Sequence, residues 1–404
     1  MNQKYDAIII GGGASGLMCA VTAKQNNPKL RIAVIEKNDR VGKKLLATGN
    51  GRCNLTNCSI DSSKYIGSFG KQSEHVLKRY DTAQLLYRFG KLGLLTFADS
   101  EGRCYPLSRQ ASSVLDVLRY ACERCGAEIF CGENINSIKN SGSRFEVITR
   151  ENRFSASKLV IACGSKAAPK LGGTASAADY LKNLGHQIIP FSPALCPLKT
   201  DSGLTKSLKG IRAAANVSLI RSNREIKSEH GEVQFTDGAL SGICIFNLSL
   251  YAQKGDAITL DLLPDISEEE LFKLLLRYQE LFARRGVEDL FTGILQKRLA
   301  LAILKASGIR DFSADCRSIG KEQLLRAANT VKAFSFNVTD RGGFEQAQCA
   351  AGGVRGSEID ETTMQSKVRK NLYVCGEAID ICGECGGYNL HFAFASGILA
   401  GEQL

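Results

Sequence analysis

YDAIIIGGGASG, from Tyr5 to Gly16, together with RIAVIEK, from Arg31 to Lys37, decides the fold. Ala7 to Ile10 is a short apolar run of the kind that forms a buried strand, and Gly11, Gly13 and Gly16 follow it at the spacing G-x-G-x-x-G. Each glycine has its own task. Gly11 makes the turn, Gly13 lets a pyrophosphate approach the backbone, and Gly16 lets the following helix lie close on the strand. The first turn of that helix has free N–H groups at the positive end of its dipole and attracts an anion. Glu36 ends the second strand about twenty residues beyond Gly16, where an acid accepts hydrogen bonds from a ribose. Strand, turn, helix, strand and acid together predict dinucleotide binding.

Outward from this unit, composition sets bounds. The chain has 404 residues, too many for one core, and 44% hydrophobic with 23% charged residues is the balance of a water-soluble globular protein. No apolar run approaches the eighteen or so residues of a membrane span. Lys4 ahead of an apolar segment imitates a signal peptide, but Asp6 and three adjacent glycines interrupt it. Net charge is +11, from 52 basic and 41 acidic side chains, and the basic residues are scattered. That distribution suits a small-molecule substrate, an anionic one included, and argues against nucleic acid as a partner. Fifteen cysteines without a secretory signal read as thiols in a reducing cytoplasm. Cys122 with Cys125 and Cys382 with Cys385 form C-x-x-C pairs, and the four histidines have no metal-like spacing to them, so no metal is expected. Oligomeric state is not readable.

Asn38 to Asn57 has neither helical nor strand period and reads as a loop presenting backbone N–H groups with Lys43, Lys44 and Arg52 to one ligand. Helices are expected over Asp81 to Phe89, over Ser108 to Cys125 with Ser108 as N-cap and Gly126 past the end, and over Ala175 to Leu184. Glu128 to Arg150 reads as an antiparallel meander turning at Asn140 to Ser143, and Lys158 to Ala162 as a buried strand. The latter runs into Cys163-Gly164-Ser165, a second place for backbone to approach a nucleotide. Pro190, Pro193 and Pro197 mark a crossover into short strands, among which Glu232 to Ala252 lies. Ser267 with Glu270 is a capping box opening a helical stretch. These readings divide the chain into a dinucleotide-binding domain of residues 1–190 and 346–404, a β-rich insert of 191–264 and 331–345, and a helical subdomain of 265–330.

Near the end of the chain, Asn371 to Cys375 is again a buried strand, followed by Gly376-Glu377 and by GGYNLHFAFASGILAG, a helix with a glycine-rich start. A second nucleotide-facing strand and helix distinguishes FAD from a nicotinamide cofactor, because FAD needs one element for its ADP half and another for the ribityl and ring end. Glu377 or Asp380 would bond phosphate-side or ribityl hydroxyls. The positive end of the helix at Tyr388 would face the N1 and O2 edge of the ring, where reduction gathers negative charge.

GGGASGL, GKKLLATGNGRCNLTN and the segment AGGVRGSEIDETTMQSKVRKNLYVCGEAIDICGECGGYNLHFAFASGILAG resemble the BaiN-like flavoprotein family. That family includes the 3-dehydro-bile acid delta-4,6-reductase type and the aminoacetone-oxidase type. The resemblance spans nearly the whole chain. It implies an α/β fold: a two-dinucleotide-binding-type, Rossmann-like FAD domain built from both ends of the chain, with an inserted β-barrel-like domain and a small helical cap. By match to the motifs, non-covalent FAD would be held by Gly11, Gly13, Ala14, Ser15, Gly16, Glu36, Lys37, Lys44, Thr48, Gly49, Asn50, Arg52, Cys53 and Asn54. Gly164 joins them, and from the far end Gly376, Glu377, Asp380, Gly387, Tyr388, Asn389 and Leu390. Family members often have proline after LSG and Gln-Trp after GGYNL; here Ile243 and His391-Phe392 stand there.

The reaction that the resemblance implies is NAD(P)H-linked reduction of a C=C bond conjugated to a ketone, as in a 3-oxo-4,6-diene bile acid. No second G-x-G-x-x-G is present, so the nicotinamide would dock transiently. Alternatives are amine oxidation with O2 and a dithiol mechanism through Cys382 and Cys385. Tyr388 and His391 are the candidates for catalytic proton donor.

Overall fold

Ile8, Ile9 and Ile10 are buried because the strand that carries them, β1 (Asn2–Ile10), has a neighbour on each edge and cover on both faces. The computed structural model describes residues 2–201 and 203–404. After β1 come α1 (Ala14–Asn26), β2 (Ile32–Glu36), α2 (Lys43–Ala47), β3 (Thr56–Asn57), β4 (Tyr65–Ile66), α3 (Ser73–Arg79), α4 (Thr82–Leu92), β5 (Thr96–Ala98) and β6 (Arg103–Pro106). Then follow α5 (Ala111–Cys125), β7 (Glu128–Cys131), β8 (Ile135–Ser141), β9 (Arg144–Thr149), β10 (Arg153–Ile161), α6 (Ser176–Asn183) and β11 (Ile188–Ala194). The next segment holds β12 (Leu198–Thr200), α7 (Gly203–Ser207), β13 (Arg212–Arg221), β14 (Arg224–Thr236), β15 (Ala239–Ser241), α8 (Ile243–Ser249) and β16 (Ala257–Asp261). It ends with α9 (Glu268–Leu281), α10 (Lys297–Ala306), α11 (Lys321–Lys332) and β17 (Phe334–Arg341). Last are β18 (Cys349–Val354), β19 (Leu372–Val374), β20 (Cys382–Gly383) and α12 (Tyr388–Glu402).

Two units result, one from residues up to Ala194 and from Phe344 onward, the other from Leu195 to Gly343. In the first, a seven-stranded sheet runs β7-β2-β1-β10-β9-β8, with β19 beside the far end of β10. β1 pairs parallel with β2, Ile10 opposite Ile35, and with β10, Ile10 opposite Ile161. β7 is not part of the expected meander. It pairs parallel to β2, since it returns from α5 as the second strand of a crossover. α5 begins after Gln110 rather than at Ser108, whose hydroxyl bonds Ser113 instead, and it ends at Gly126 with φ +73°. Of the prolines expected in a crossover, Pro190 and Pro193 lie in β11, which pairs antiparallel with β18, and Pro197 lies just before β12. Pro190 falls in the bulge between Ile189 and Ser192, where no ladder N–H is needed.

α1 is buried on every side, against α5 and α12. The contact with α12 is a backbone-to-backbone approach that small residues permit. A Cβ on Gly397 would lie 2.3 Å from the Ser15 carbonyl oxygen, and one on Gly401 2.6 Å from that of Cys19. The first and last helices of the chain are thereby fixed side by side.

The second unit is a closed antiparallel barrel, β12-β15-β14-β13-β16-β17. Alternation builds it: Ala215, Val217 and Leu219 of β13, and Phe334, Phe336 and Val338 of β17, point inward. β13 and β14 turn through Ser222 and Asn223 at φ +50° and +61°, a two-residue hairpin of the twist-matched kind. After LSG the chain forms a helix, α8, rather than another strand. Leu271, Leu275, Leu299, Ile303 and Leu324 of α9 to α11 join the barrel residues in one apolar core, so the helical stretch has no core of its own. The capping box forms as expected: Ser267 Oγ accepts from the Glu270 amide at 3.2 Å, and Glu270 accepts from the Ser267 amide at 2.9 Å. Among the described residues no helix is long and apolar enough to cross a membrane.

Candidate functional site

The glycine turn behaves differently at each position. Gly11, at φ +107°, donates to the Ile35 carbonyl at 2.8 Å, and a Cβ there would meet the Ala162 carbonyl oxygen at 2.5 Å. A Cβ on Gly16 would lie 1.9 Å from the Gly11 oxygen. At Gly13 a Cβ would meet nothing within 4 Å. Two of the three glycines are therefore demanded by the protein's own backbone, and the third faces open ground at the positive end of α1. Gly12, to which the motif assigns nothing, donates to Glu36 Oε2 at 2.9 Å and could not carry a Cβ past Val41.

Glu36 Oε1 accepts from the amide of Asn38 at 2.8 Å and from its side chain at 2.7 Å. With Gly12 on Oε2, three of the carboxylate's roughly four acceptor positions are used and about one remains for a ribose hydroxyl.

Three distant segments converge beside this turn. Glu377 Oε2 accepts from Lys44 Nζ at 2.6 Å and from Ser165 Oγ at 3.0 Å, next to Gly164 at φ +72°. Gly376, at φ +66°, sits on the first turn of α1, where a Cβ would lie 2.8 Å from Ser15 Oγ, and its amide donates to Ser396 Oγ at 3.0 Å. The cations expected to share one ligand instead have separate protein partners. Lys43 pairs with Asp39 at 2.6 Å, Lys44 with Glu377, and Arg52 lies over the Tyr105 ring at 5.1 Å. Lys37 donates to Thr174 Oγ1 at 3.2 Å, and burial lowers its pKa.

The segment expected to be a plain loop contains α2 and a turn in which Gly49, Asn50, Gly51 and Cys53 all have left-handed backbone. Thr48 Oγ1 accordingly donates to the Leu45 carbonyl at 2.6 Å, and Cys53 is buried, its thiol pushed up to about 12 by burial. Asn54 Oδ1 is buried and has no hydrogen-bond partner among the described residues. It lies 2.8 Å from where a Cβ of Gly387 would be, at the start of α12.

Gly387 caps α12 at φ +104° and leaves the first-turn N–H groups without side-chain caps. Asn389 closes that turn: its side chain both accepts from and donates to the backbone of Gly383, each at 2.8 Å, so it has a protein partner at both ends. Asp380 also has protein partners, accepting from the Ser68 amide at 2.6 Å and the Gly352 amide at 2.8 Å, one on each oxygen. Leu390 is half-buried against the core. Tyr388 packs edge-on against Tyr65 at 6.0 Å, and its hydroxyl donates to the Ser59 carbonyl at 3.3 Å.

His391 does not reach the site. It is 0% exposed, Nε2 donates to the Tyr80 carbonyl at 2.8 Å, and Nδ1 accepts from Thr56 Oγ1 at 2.7 Å. Burial pulls its pKa down to about 4, so the ring is neutral with both nitrogens committed, and the proton-donor expectation fails there.

A mixed sheet whose parallel strands β2, β1 and β10 carry a glycine turn at their switch point, a second helix with a glycine-lined start packed against α1, and an inserted antiparallel barrel define a Rossmann-type dinucleotide-binding protein. More particularly, the family model described as the HI0933-like protein Rossmann domain matches residues 5–403, and the chain belongs to that family. It is 35% identical over 402 residues to the 3-dehydro-bile acid delta(4,6)-reductase of Clostridium scindens, covering 98% of this chain and 97% of that one. It is also 26% identical over 403 residues to the ribosomal RNA dihydrouridine synthase of Escherichia coli, covering 100% of this chain and 98% of that one. Among solved structures it resembles 3-ketosteroid delta1-dehydrogenase from Sterolibacterium denitrificans, with a TM-score of 0.52 at 12% identity over 99% of each chain. A relative named for work on ribosomal RNA removes the ground for excluding nucleic acid from the scattered charge alone.

Proposed function

We propose that the protein is an FAD-dependent oxidoreductase that reduces a C=C bond conjugated to a carbonyl, with NADH or NADPH as transient hydride donor. The observation that carries this reading is the seating of Gly376 on the first turn of α1 at Ser15, with Lys44 and Ser165 on Glu377 and the middle of α12 packed there through Ser396 and Gly397. A cofactor with a pyrophosphate at one end and a flat polar ring at the other matches those features. The α1 amides of Gly13, Ala14 and Ser15 would face its phosphates. The remaining acceptor on Glu36 would take a ribose hydroxyl, and Lys44 with Glu377 would line the path between. The unpaired Asn54 Oδ1 is an acceptor of the kind that a flavin's N3–H needs.

When bound, FAD supplies hydride transfer. The first turn of α12 favours negative charge at the ring end, and the Gly383–Asn389 pair holds that turn in place. With His391 committed to the core, Tyr388 is the hydroxyl left to protonate the α-carbon, its 3.3 Å bond to Ser59 being long enough to exchange for a substrate.

The substrate class draws on both relatives. A delta(4,6)-reductase and a dihydrouridine synthase each saturate a ring C=C conjugated to a carbonyl, in a steroid and in uracil respectively. The 35% identity to the first and the net charge of +11 support an acidic steroid dienone. A second reading, a uracil in RNA, is supported by the whole-length likeness to the second.

The test begins with the colour of the purified protein and identification of the released flavin. NADH or NADPH should bleach it without oxygen, and a steroid dienone acid or a uridine-bearing ribosomal RNA should restore the colour. Protein that is colourless and takes up no FAD ends the proposal. Bleaching by an amine with recovery only in oxygen replaces it with amine oxidation.

A further inference from the structure

The sequence places Cys382 three residues from Cys385, but the fold gives Cys382 a different neighbour. Its sulfur lies 2.8 Å from that of Cys349, while Cys385 is half-exposed with its thiol directed to Gln348 Oε1 at 3.7 Å. Cys349 and Cys382 are 2% and 1% exposed. They open β18 and β20, and the Asp380 carboxylate stitches the two segments together through the Gly352 amide. Two sulfurs this near are closer than non-bonded sulfur atoms rest, and a modest side-chain rotation brings them to a bond of about 2.05 Å. Burial and the Cys382 thiol push the Cys349 thiol well above its ordinary range, and both sulfurs are buried, so Cys349 does not attack an external disulfide itself. An accessible thiol has to begin the exchange, and Cys385 is one.

We propose that Cys349 and Cys382 are a dithiol–disulfide couple, oxidised by a small-molecule disulfide that enters through Cys385. The Cys385 thiolate attacks the external disulfide, forming a mixed disulfide and releasing one thiolate. Cys382 then attacks the Cys385 sulfur, releasing the second. Cys349 attacks the Cys382 sulfur, and Cys385 leaves as a thiol. In sum one S–S bond forms between Cys349 and Cys382, two S–H bonds are lost, and the external disulfide is reduced to two thiols. The cross-link joins β18 to β20, whose Gly383 is the partner of Asn389, so the oxidation state of the pair reaches the start of α12. This couple is separate from substrate turnover and does not depend on it.

The full-length protein is reduced, freed of reductant and held with oxidised glutathione. Thiols counted after denaturation should then fall by two from the fifteen cysteines of the sequence. A peptide map without reductant should link Cys349 to Cys382, and C385S should slow that link without changing the end point. Fifteen remaining thiols overturn the proposal. So does a stable Cys382–Cys385 link, or assignment of the two lost thiols to Cys58 and Cys104, whose sulfurs are 3.8 Å apart. The wild-type map decides the matter even if C349S does not fold.

Discussion

Gly13 and Gly16 read alike in the sequence and differ in space, which separates cofactor binding from folding. Gly13→Ala should fold normally, because its Cβ meets no protein atom within 4 Å, yet weaken FAD binding by tenfold or more, about 1.4 kcal/mol, in a titration followed by flavin fluorescence. Gly16→Ala should give little folded protein, its Cβ colliding with the Gly11 carbonyl. His391 offers a second residue-scale test. Its folded pKa of about 4 lies below the unfolded value of about 6.5, so between these the unfolded chain binds more protons, and stability falls as pH drops from about 6.5 to about 4. The loss amounts to up to about 3 kcal/mol. His391→Gln should keep stability near neutral pH, since a glutamine also offers one donor to Tyr80 and one acceptor to Thr56. It should flatten the acid limb of a melting curve measured against pH. The glycine spacing and Glu36 were legible because they act within one βαβ unit. The hold of Gly12 and Asn38 on Glu36, the capture of Asp380 by Ser68 and Gly352, and the pairing of Cys382 with Cys349 were not. Those partners are chosen by folding between distant segments, and spacing along the chain carries no trace of them.

At the scale of elements, the legible ones carry their own punctuation. The Ser267–Glu270 box marks the start of α9, Gly126 the end of α5 and Gly387 the start of α12. Ser267→Ala should cost about 1 kcal/mol, seen as a lower melting temperature with unchanged flavin content, since the cap lies in the other unit. β11 was obscured because its prolines argue against a strand, and only its partner β18 and the bulge make room for them. β7 was obscured because the order of strands in a sheet is a property of crossovers rather than of local pattern. The approach of α1 and α12 was only half legible: FASGILAG shows small residues four apart, but not which helix they meet. Replacing Gly397 with leucine should separate the two helices, lowering stability by about 1 to 3 kcal/mol and abolishing FAD retention on gel filtration.

At the scale of the molecule, every residue assigned to the cofactor lies in the first unit, and the second is entered and left beside the β11–β18 ladder, where Ala194 faces Cys349. Replacing residues 195–343 by a short linker should therefore leave a protein that still turns yellow with FAD and has lost turnover of the conjugated substrate, as read by absorbance and anaerobic reoxidation. The division into sheet unit and barrel followed from alternation and from the return of a buried strand near the end of the chain. The shared core of barrel and helices did not, because helical period says that a face is apolar without saying what covers it. The side-by-side seating of α1 and α12 has a consequence for biosynthesis. Gly13 leaves the ribosome long before Gly376, Gly387 and Gly397, so a nascent chain has half a grip while everything between them is made. Holoprotein assembly then waits for α12, and chains that stall before this helix emerges should accumulate as colourless apoprotein however much flavin the cell contains.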